Sequence, residues 1–584
     1  MHGASLARFW VILGVAVALM LALNAQSLSF GWFGDDYVHR RIILEQLHGG
    51  GGARPWWNLF DDRAAAKGGV EEPNTLFGRL PWWTSPSFSF ALLRPLSAAS
   101  QLLDYTLWPN SPWRMHAHNL ALFALLVCLA GVLYRRLLGD GLACWIALVA
   151  YAIDDSHTIG NAWIASRNTL LVALFGLLSL WAFDVWRRDG ARWGAWLAAL
   201  ALACAHASSE GAIALWAYFL AYELFLDARP WRSRALALAP LAAISCAFYW
   251  LSASYGYGVH GSGVYIDPRA DPLRFALVAF ERLPDIVRLQ FGLSNLALGG
   301  VPPSLVPSAI TLTQLFVAVA LVIGLRPSWR SGTTRYFALS AVLTLLPHCS
   351  IGALERLMYL SGFAAHGLIA LALAGCIQQL RAAEGGRKIA YGLPAAGLLA
   401  IHGVVVIFTP AHALAFARNV HQRVEFAARS LPHGAELRDR TIMVLNYPDY
   451  LTSVFVSVYR HEFALPGPRA MYLAGTSSGP VRIRREAPNV LELQPLGGYF
   501  HDPSMNLVRP PDEPFHERQL LPLGAAIVRI DKLTTDARPD QISLLARLDD
   551  PSWLWVAYDI RLGRFVPIKL PKIGEFRWLP SHVP

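Results

Sequence analysis

Two adjacent aspartates, Asp35 and Asp36 in the stretch GWFGDDYVHR, are the residues best placed to do chemistry. They follow directly on the first long apolar run, Phe9–Ser29, broken only by Asn24 and Gln26. Acids at the exit of a membrane helix sit where the dielectric changes steeply. Ionisable groups there are costly and are functional hypotheses by default. A carboxylate in that position can take the proton of a hydroxyl while the hydroxyl oxygen forms a new bond. If the departing group is a phosphate, it leaves as a stable anion and requires only fixed positive charge to receive it.

Arginine suits that second role, because its planar, always-charged fork binds two oxygens together. Arg167, in NAWIASRNTLL, and Arg356, in ALERLMYLSG with Tyr359 close behind, lie at the outer mouths of two later apolar runs. Glu210, in HASSEG, sits in a tight outer turn, and His116 in WRMHAHNL and His157 in DDSHTIG lie at outer helix ends. Asp35, Asp36, Asp154, Asp155 and His157 are also residue types that can ligate a divalent cation neutralising a phosphate, which leaves cofactor use open. Each residue has a plainer reading. Asp35 is a fitting cap for a helix DDYVHRRIILEQL, and each arginine can be an interfacial charge reaching for water. Convergence favours a site, since these groups come from separate runs and all fall on one side.

The elements that must position them are membrane helices. The 584-residue chain is 54% hydrophobic and only 15% charged, against roughly a quarter charged in soluble proteins. Candidate spans are 9–30, 113–134, 142–159, 164–186, 193–208, 211–226, 235–254, 308–325, 335–349, 358–378 and 389–409. The net charge of +10 is no nucleic-acid signature, because the basic residues fall in short loops rather than one patch. Arg135-Arg136, Arg187-Arg188, Arg229-Arg232-Arg234, Arg326-Arg330-Arg335 and Arg381-Arg387-Lys388 share one side, which the positive-inside rule makes cytoplasmic. The N-terminus is then inside and the C-terminus outside. LALNAQS offers a loose signal-peptidase site, but the run is long for a signal peptide and only Arg8 precedes it. None of the six cysteines has CxxC or CxxH spacing, so disulfide and zinc readings both fail.

Two outer segments are long. The first, 31–112, holds GGGGARPWWNLF and LPWWTSPSF, whose paired tryptophans suit an interfacial belt. It ends in LLRPLSAASQLLDYTLW, which has the apolar spacing of a surface helix. The second, 255–307, holds YGYGVHGSGVYIDPRADP and then FALVAFERLPDIVRLQFG, read as another amphipathic surface helix. From about residue 415 short β-rich runs alternate with Pro and Gly, giving an expected mostly-β outer domain over 415–584 with one helix near 450–463.

The ordered motifs resemble a known family. DDY, then LLRPLSAASQLLDYTLW, WRMHAHNL, HTIGNAWIASRNTLL, SSEG and ERLMYLSGF together look like the GT-C fold polytopic glycosyltransferases over about residues 10–410. The likeness is strongest to bacterial relatives of the transmembrane-and-TPR O-mannosyltransferases. It implies inverting transfer of a sugar from a polyprenyl-phosphate donor, with a first-loop acid as base. By position, Asp35 and Asp36 match the acidic pair, Arg94 the RPL arginine, His116 and Asn119 the H-x-x-N, and Trp163 and Arg167 the W-I-x-x-R. Glu210 matches the acid of the family's K-E, and Arg356 and Tyr359 its E-R-x-x-Y. Two departures stand out: the family's H-P is Asp154-Asp155 here, and its lysine before the glutamate is Ser209. The β-rich segment stands where the family carries its TPR array.

The expectation is therefore an α-helical polytopic membrane protein, GT-C-like with about eleven transmembrane helices over 1–414, carrying a mostly-β extracytoplasmic domain over 415–584. The expected activity is transfer from a polyprenyl-phosphate sugar to a glycan, lipid or protein acceptor at the outer (periplasmic) face of a bacterial inner membrane. Asp35 and Asp36 are the catalytic pair, and Arg356, Arg167, Arg94 and Tyr359 hold the donor phosphate. Glu210, His116, Asn119, His157 and Trp163 support them. Two rivals remain. A transporter or flippase of lipid-linked saccharide should show inverted repeats with broken helices, which are not evident. An inactive membrane scaffold should have lost the acidic pair.

Overall fold

Apolar runs fold as helices in a bilayer because no water is present to satisfy free backbone groups. The structure, a computed structural model, describes residues 2–49, 55–63, 80–431, 435–463 and 467–579. The glycine-rich residues 50–54 lie outside them. Seven helices among the described residues are long and apolar enough to cross a membrane: Leu6–Ser29, Pro112–Leu138, Ile164–Asp189, Trp231–Ser254, Pro303–Leu325, Tyr359–Ala382 and Arg387–Ser430.

Four of the eleven expected spans are shorter helices, Leu142–Ile153, Trp193–Ser208, Leu215–Phe225 and Gly332–Leu343, of 12, 16, 11 and 12 residues. Twelve helical residues cover about 18 Å, well short of the roughly 30 Å hydrocarbon core. Polar 3₁₀ turns adjoin these short helices: Asp155–His157, Glu210–Ala214 and, after a further loop, Glu355–Leu357. Tyr359–Ala382 is the central, mostly buried helix of the bundle. It crosses Pro303–Leu325 where Gly375 meets Gly324; a Cβ on Gly375 would fall 2.1 Å from the Gly324 carbonyl oxygen.

Three further helices lie outside the candidate spans: Asp35–Leu47, Pro95–Leu107 and Pro272–Phe291. The last has the amphipathic form read from sequence. Leu273, Leu277 and Phe280 stand exposed on one face, while Arg282 and Arg288 turn inward to the Cys349 and Leu293 carbonyls.

The expected division at 414/415 falls inside the helix Val406–Ser430, and after the two-stranded pair Ser89–Ala91 with Gly258–His260 the larger sheets begin at Thr441. One sheet has four strands in the order Arg564–Pro567, Trp553–Asp559, Thr441–Val444, Ala470–Leu473. The last three are parallel, and Tyr450–Glu462 is the helical crossover between Thr441–Val444 and Ala470–Leu473. The other sheet has six antiparallel strands, with Val481–Ala487, Val490–Pro495 and Pro539–Leu545 near its middle. One expectation changes here. Trp82 and Trp83 are not an interfacial belt: they are 7% and 0% exposed and enter the core between the outer sheets. Trp82 donates its indole N–H to the Ala474 carbonyl at 3.0 Å. The core of a distant domain offers these rings more buried apolar area than a headgroup layer does.

Candidate active site

The chain leaves the first span extended at Phe30 and reverses at Gly34, whose φ of 56° favours glycine. A Cβ there would meet Phe455 at 3.3 Å and Trp163 at 3.4 Å. This turn launches the helix Asp35–Leu47 with both acids in its first turn, and it separates their roles. Asp36 is fully buried and accepts from the Phe33 N–H at 2.9 Å and the Ala165 N–H at 2.6 Å. It is therefore Asp36, not Asp35, that closes the helix start and ties it to the loop before Arg167. Burial pushes its carboxyl up to about 8 against the lowering effect of those two N–H groups.

Asp35 makes no hydrogen bond among the described residues. Its surface is open to solvent, yet enough protein surrounds it that its carboxyl is pushed up to about 6. An accessible group so enclosed lies in a recess. Burial is the leading cause of the rise, the Arg356 charge opposes it, and Asp62 of the loop after Asp35–Leu47 adds to it.

Arg356 comes from the turn Glu355–Leu357, with its guanidinium carbon 4.8 Å above the Trp163 ring. It makes no hydrogen bond or ion pair among the described residues. Trp163 is itself fixed edge-on by Phe33, at 5.5 Å between ring centres. Arg94 lies in the same neighbourhood but is committed: its Nε and Nη2 donate to Glu210 at 2.9 and 2.5 Å. Although burial acts to raise Glu210, the Arg94 guanidinium holds it below the usual carboxylate range.

Several residues read as substrate-facing are instead fully buried and bonded to other side chains or to backbone. Arg167 is fully buried, and its guanidinium donates to Asn119 Oδ1 at 2.5 Å, to Ser100 Oγ at 2.9 Å and to the Asp104 carboxylate. Asp104 also meets His118 Nδ1 at 2.7 Å. The clasp joins the helices Pro95–Leu107, Pro112–Leu138 and Arg167–Asp189, so Arg167 has no arm free for a donor phosphate. Tyr359 is likewise buried, donating to Asn161 Oδ1 at 2.7 Å and stacked on His157 at 4.5 Å. His116 is buried with Nε2 3.1 Å from the Gly31 carbonyl, and it steadies the turn before the acids. Asn119 links Arg167 to the Asn161 carbonyl.

Asp154 lies with one oxygen 3.7 Å from both His157 Nε2 and His366 Nε2, and Asp155 accepts from Ser294 Oγ at 2.6 Å. Among the described residues no three such side chains are arranged to hold a metal ion. Sequence reading passed over Asp104 and Asp62. An acid inside the apolar LLDYTLW was a usable signal for Asp104, whereas Asp62 carries none.

No family model matches the chain. Protein O-mannosyl-transferase TMTC2 of Mus musculus is 30% identical over 166 residues, 28% of this chain and 18% of that protein. The Homo sapiens protein of the same name is 28% identical over 217 residues, 36% of this chain and 24% of its own length. The match thus spans under a quarter of each curated relative. Among solved structures, the Archaeoglobus fulgidus oligosaccharyltransferase tethered with an acceptor peptide aligns with a TM-score of 0.42 at 16% identity, over 79% of this chain and 64% of that one. By these matches the chain is similar to proteins named as mannosyl- and oligosaccharyl-transferases.

Proposed function

We propose that the chain is a membrane glycosyltransferase that moves a sugar from a polyprenyl-phosphate donor to a hydroxyl of a glycan, lipid or protein. In this reading it works at the outer face of a bacterial cytoplasmic membrane, with the N-terminus inside and the β-rich domain outside. One observation carries the proposal: the Asp35 carboxylate, without a hydrogen bond among the described residues, feels the charge of the Arg356 guanidinium, which is held over Trp163 with no ion pair of its own among those residues. Similarity to O-mannosyl-transferases supports the same class.

Asp35 takes the proton of the acceptor hydroxyl as its oxygen bonds to the anomeric carbon. The bond from that carbon to the phosphate oxygen breaks, and its electron pair leaves with the polyprenyl phosphate. Arg356 receives that charge, while Trp163 holds the guanidinium by its face and leaves its N–H groups free. A single displacement inverts the carbon. Asp36 touches no substrate and sets where Asp35 stands. Arg94, neutralised by Glu210, walls the recess, and the Arg167 clasp fixes the helices beneath.

The test compares envelope glycans and lipid extracts from wild-type and deletion strains by mass spectrometry. The proposal expects a sugar-sized mass to disappear from an envelope component while its lipid-linked donor accumulates. Loss of the same mass with the lipid-linked saccharide trapped on the cytoplasmic side would overturn it in favour of transport.

A further inference from the structure

The β-rich outer domain has no part in the mechanism above, yet one of its helices bears on the turn that carries the acids. Tyr450–Glu462 crosses over between two parallel strands, so the sheet fixes where it lies. It is also tied to the helix Val406–Ser430: Arg460 Nη1 donates to the Ala428 carbonyl at 2.6 Å, and the Tyr459 hydroxyl donates to Glu425 Oε1 at 2.7 Å. Phe455 and Tyr459, four apart and therefore on one face, are both buried, and Phe463 follows just past the helix end. Tyr459 stands edge-on to Tyr37 of the helix Asp35–Leu47, at 5.8 Å between ring centres. The Phe463 ring lies 6.1 Å from Tyr37 and 6.4 Å from Trp32. Phe455 lies against the turn itself: a Cβ on Gly34 would fall 3.3 Å from its Cζ and 3.4 Å from Trp163 Cζ2. Gly34, the residue immediately before Asp35, thus meets both a ring of the outer domain and the ring beneath Arg356.

We infer that the outer domain is a working part of the transfer site, with Phe455 a positioning residue that confines the Gly34 turn and so fixes where Asp35 stands. The inference rests on the reading of Asp35 as the base. Gly34 makes the reversal at a φ of 56° and has no side chain of its own to anchor it. Glycine loses more conformational freedom on folding than any other residue, so a turn built on it stays in place only when its neighbours confine it. The Asp36 bonds to the Phe33 and Ala165 N–H groups do so on one flank. Phe455 does so from the outer domain, on a helix held by a sheet behind it and by Val406–Ser430 beside it. The demand is strict, because moving a reacting group by about 1 Å costs about 10²-fold in rate. The ring also adds apolar cover beside Asp35, whose carboxyl is raised chiefly by burial.

The experiment adds purified full-length protein to detergent-solubilised membranes of the deletion strain, which on the proposed function hold donor and acceptor together. It follows the initial rate at which the missing glycan mass returns, across pH 5 to pH 8. Phe455→Ala is expected to lower that rate about 10²-fold. It should also move the pH at which the rate falls below the wild-type value of about 6, because water then reaches the turn. Phe455→Met, long enough to refill the gap, should recover most of both losses. Val528→Ala, in the core behind the six-stranded sheet, should lower the melting temperature and leave rate and inflection unchanged. If Phe455→Ala transfers as wild type while Asp35→Asn is inactive, the outer domain's part is overturned and the base stands. If Phe455→Ala loses rate but keeps the wild-type inflection, the ring serves folding alone and the positioning role is overturned. If Asp35→Asn transfers as wild type, the base reading falls and this inference with it.

Discussion

Two sets of charges in this molecule, a lower and an upper, are built from the same residue types. In the lower set, Arg167 and Asp104 are fully buried, paired to each other and bonded further to Asn119, Ser100 and His118. In the upper set, Asp35 lies within reach of the Arg356 charge, and neither residue has such commitments among the described residues. A buried, fully bonded pair is expensive to break and has nothing left to give a ligand. An enclosed but unbonded pair keeps its donors and acceptors for whatever enters. On the proposed function, commitment, rather than residue type or position at a helix end, is what separates scaffold from chemistry.

That contrast breaks if substitutions in the two sets have the same consequence. Asp35→Asn is expected to lower turnover about 10²–10⁴-fold, the range for loss of a general base, with no change in melting temperature. A lowered melting temperature would place Asp35 with the scaffold. Arg167→Met should do the reverse. It leaves the buried Asp104 with only His118 among its described side-chain partners, at a cost of about 3 kcal/mol in stability, read by thermal unfolding in detergent. Folding as stable as wild type would undo the clasp. Arg356→Ala is expected to raise the donor KM at least about tenfold and leave stability within about 0.5 kcal/mol, because the arginine gives up no hydrogen bond on removal. The smallest effect sharpens the upper set alone. With Asp35 pushed up to about 6, the base is charged above that pH and protonated below it. kcat/KM should therefore fall as pH drops through about 6, and Asp35→Glu should move the inflection. A profile flat from pH 5 to pH 8 would remove the base role.

The sequence made the membrane helices and the β-rich tail plain, because long uncharged runs and short Pro-bounded β runs are local signals. It also singled out the acidic pair, but not which acid is free. That depends on the Ala165 N–H, supplied by a loop far along the chain. Arg167 and Arg356 read alike as arginines at outer helix ends. Only the Asp104 partner, in a different helix, tells them apart. Trp82 and Trp83 failed as an interfacial belt for the same reason: the core they enter is assembled from strands that follow the last membrane helix. Three spans, 142–159, 211–226 and 335–349, proved shorter as α-helices than read, because the 3₁₀ turns Asp155–His157, Glu210–Ala214 and Pro347–Ser350 interrupt helical hydrogen bonding inside or beside those runs.

The most direct measurement returns Asp35→Asn to the deletion strain at wild-type protein level and follows the envelope glycan and its lipid-linked donor by mass spectrometry. The account predicts that the variant accumulates in the membrane as wild type does, that the missing sugar mass stays missing and that the donor builds up. Full restoration of the glycan by Asp35→Asn would contradict it.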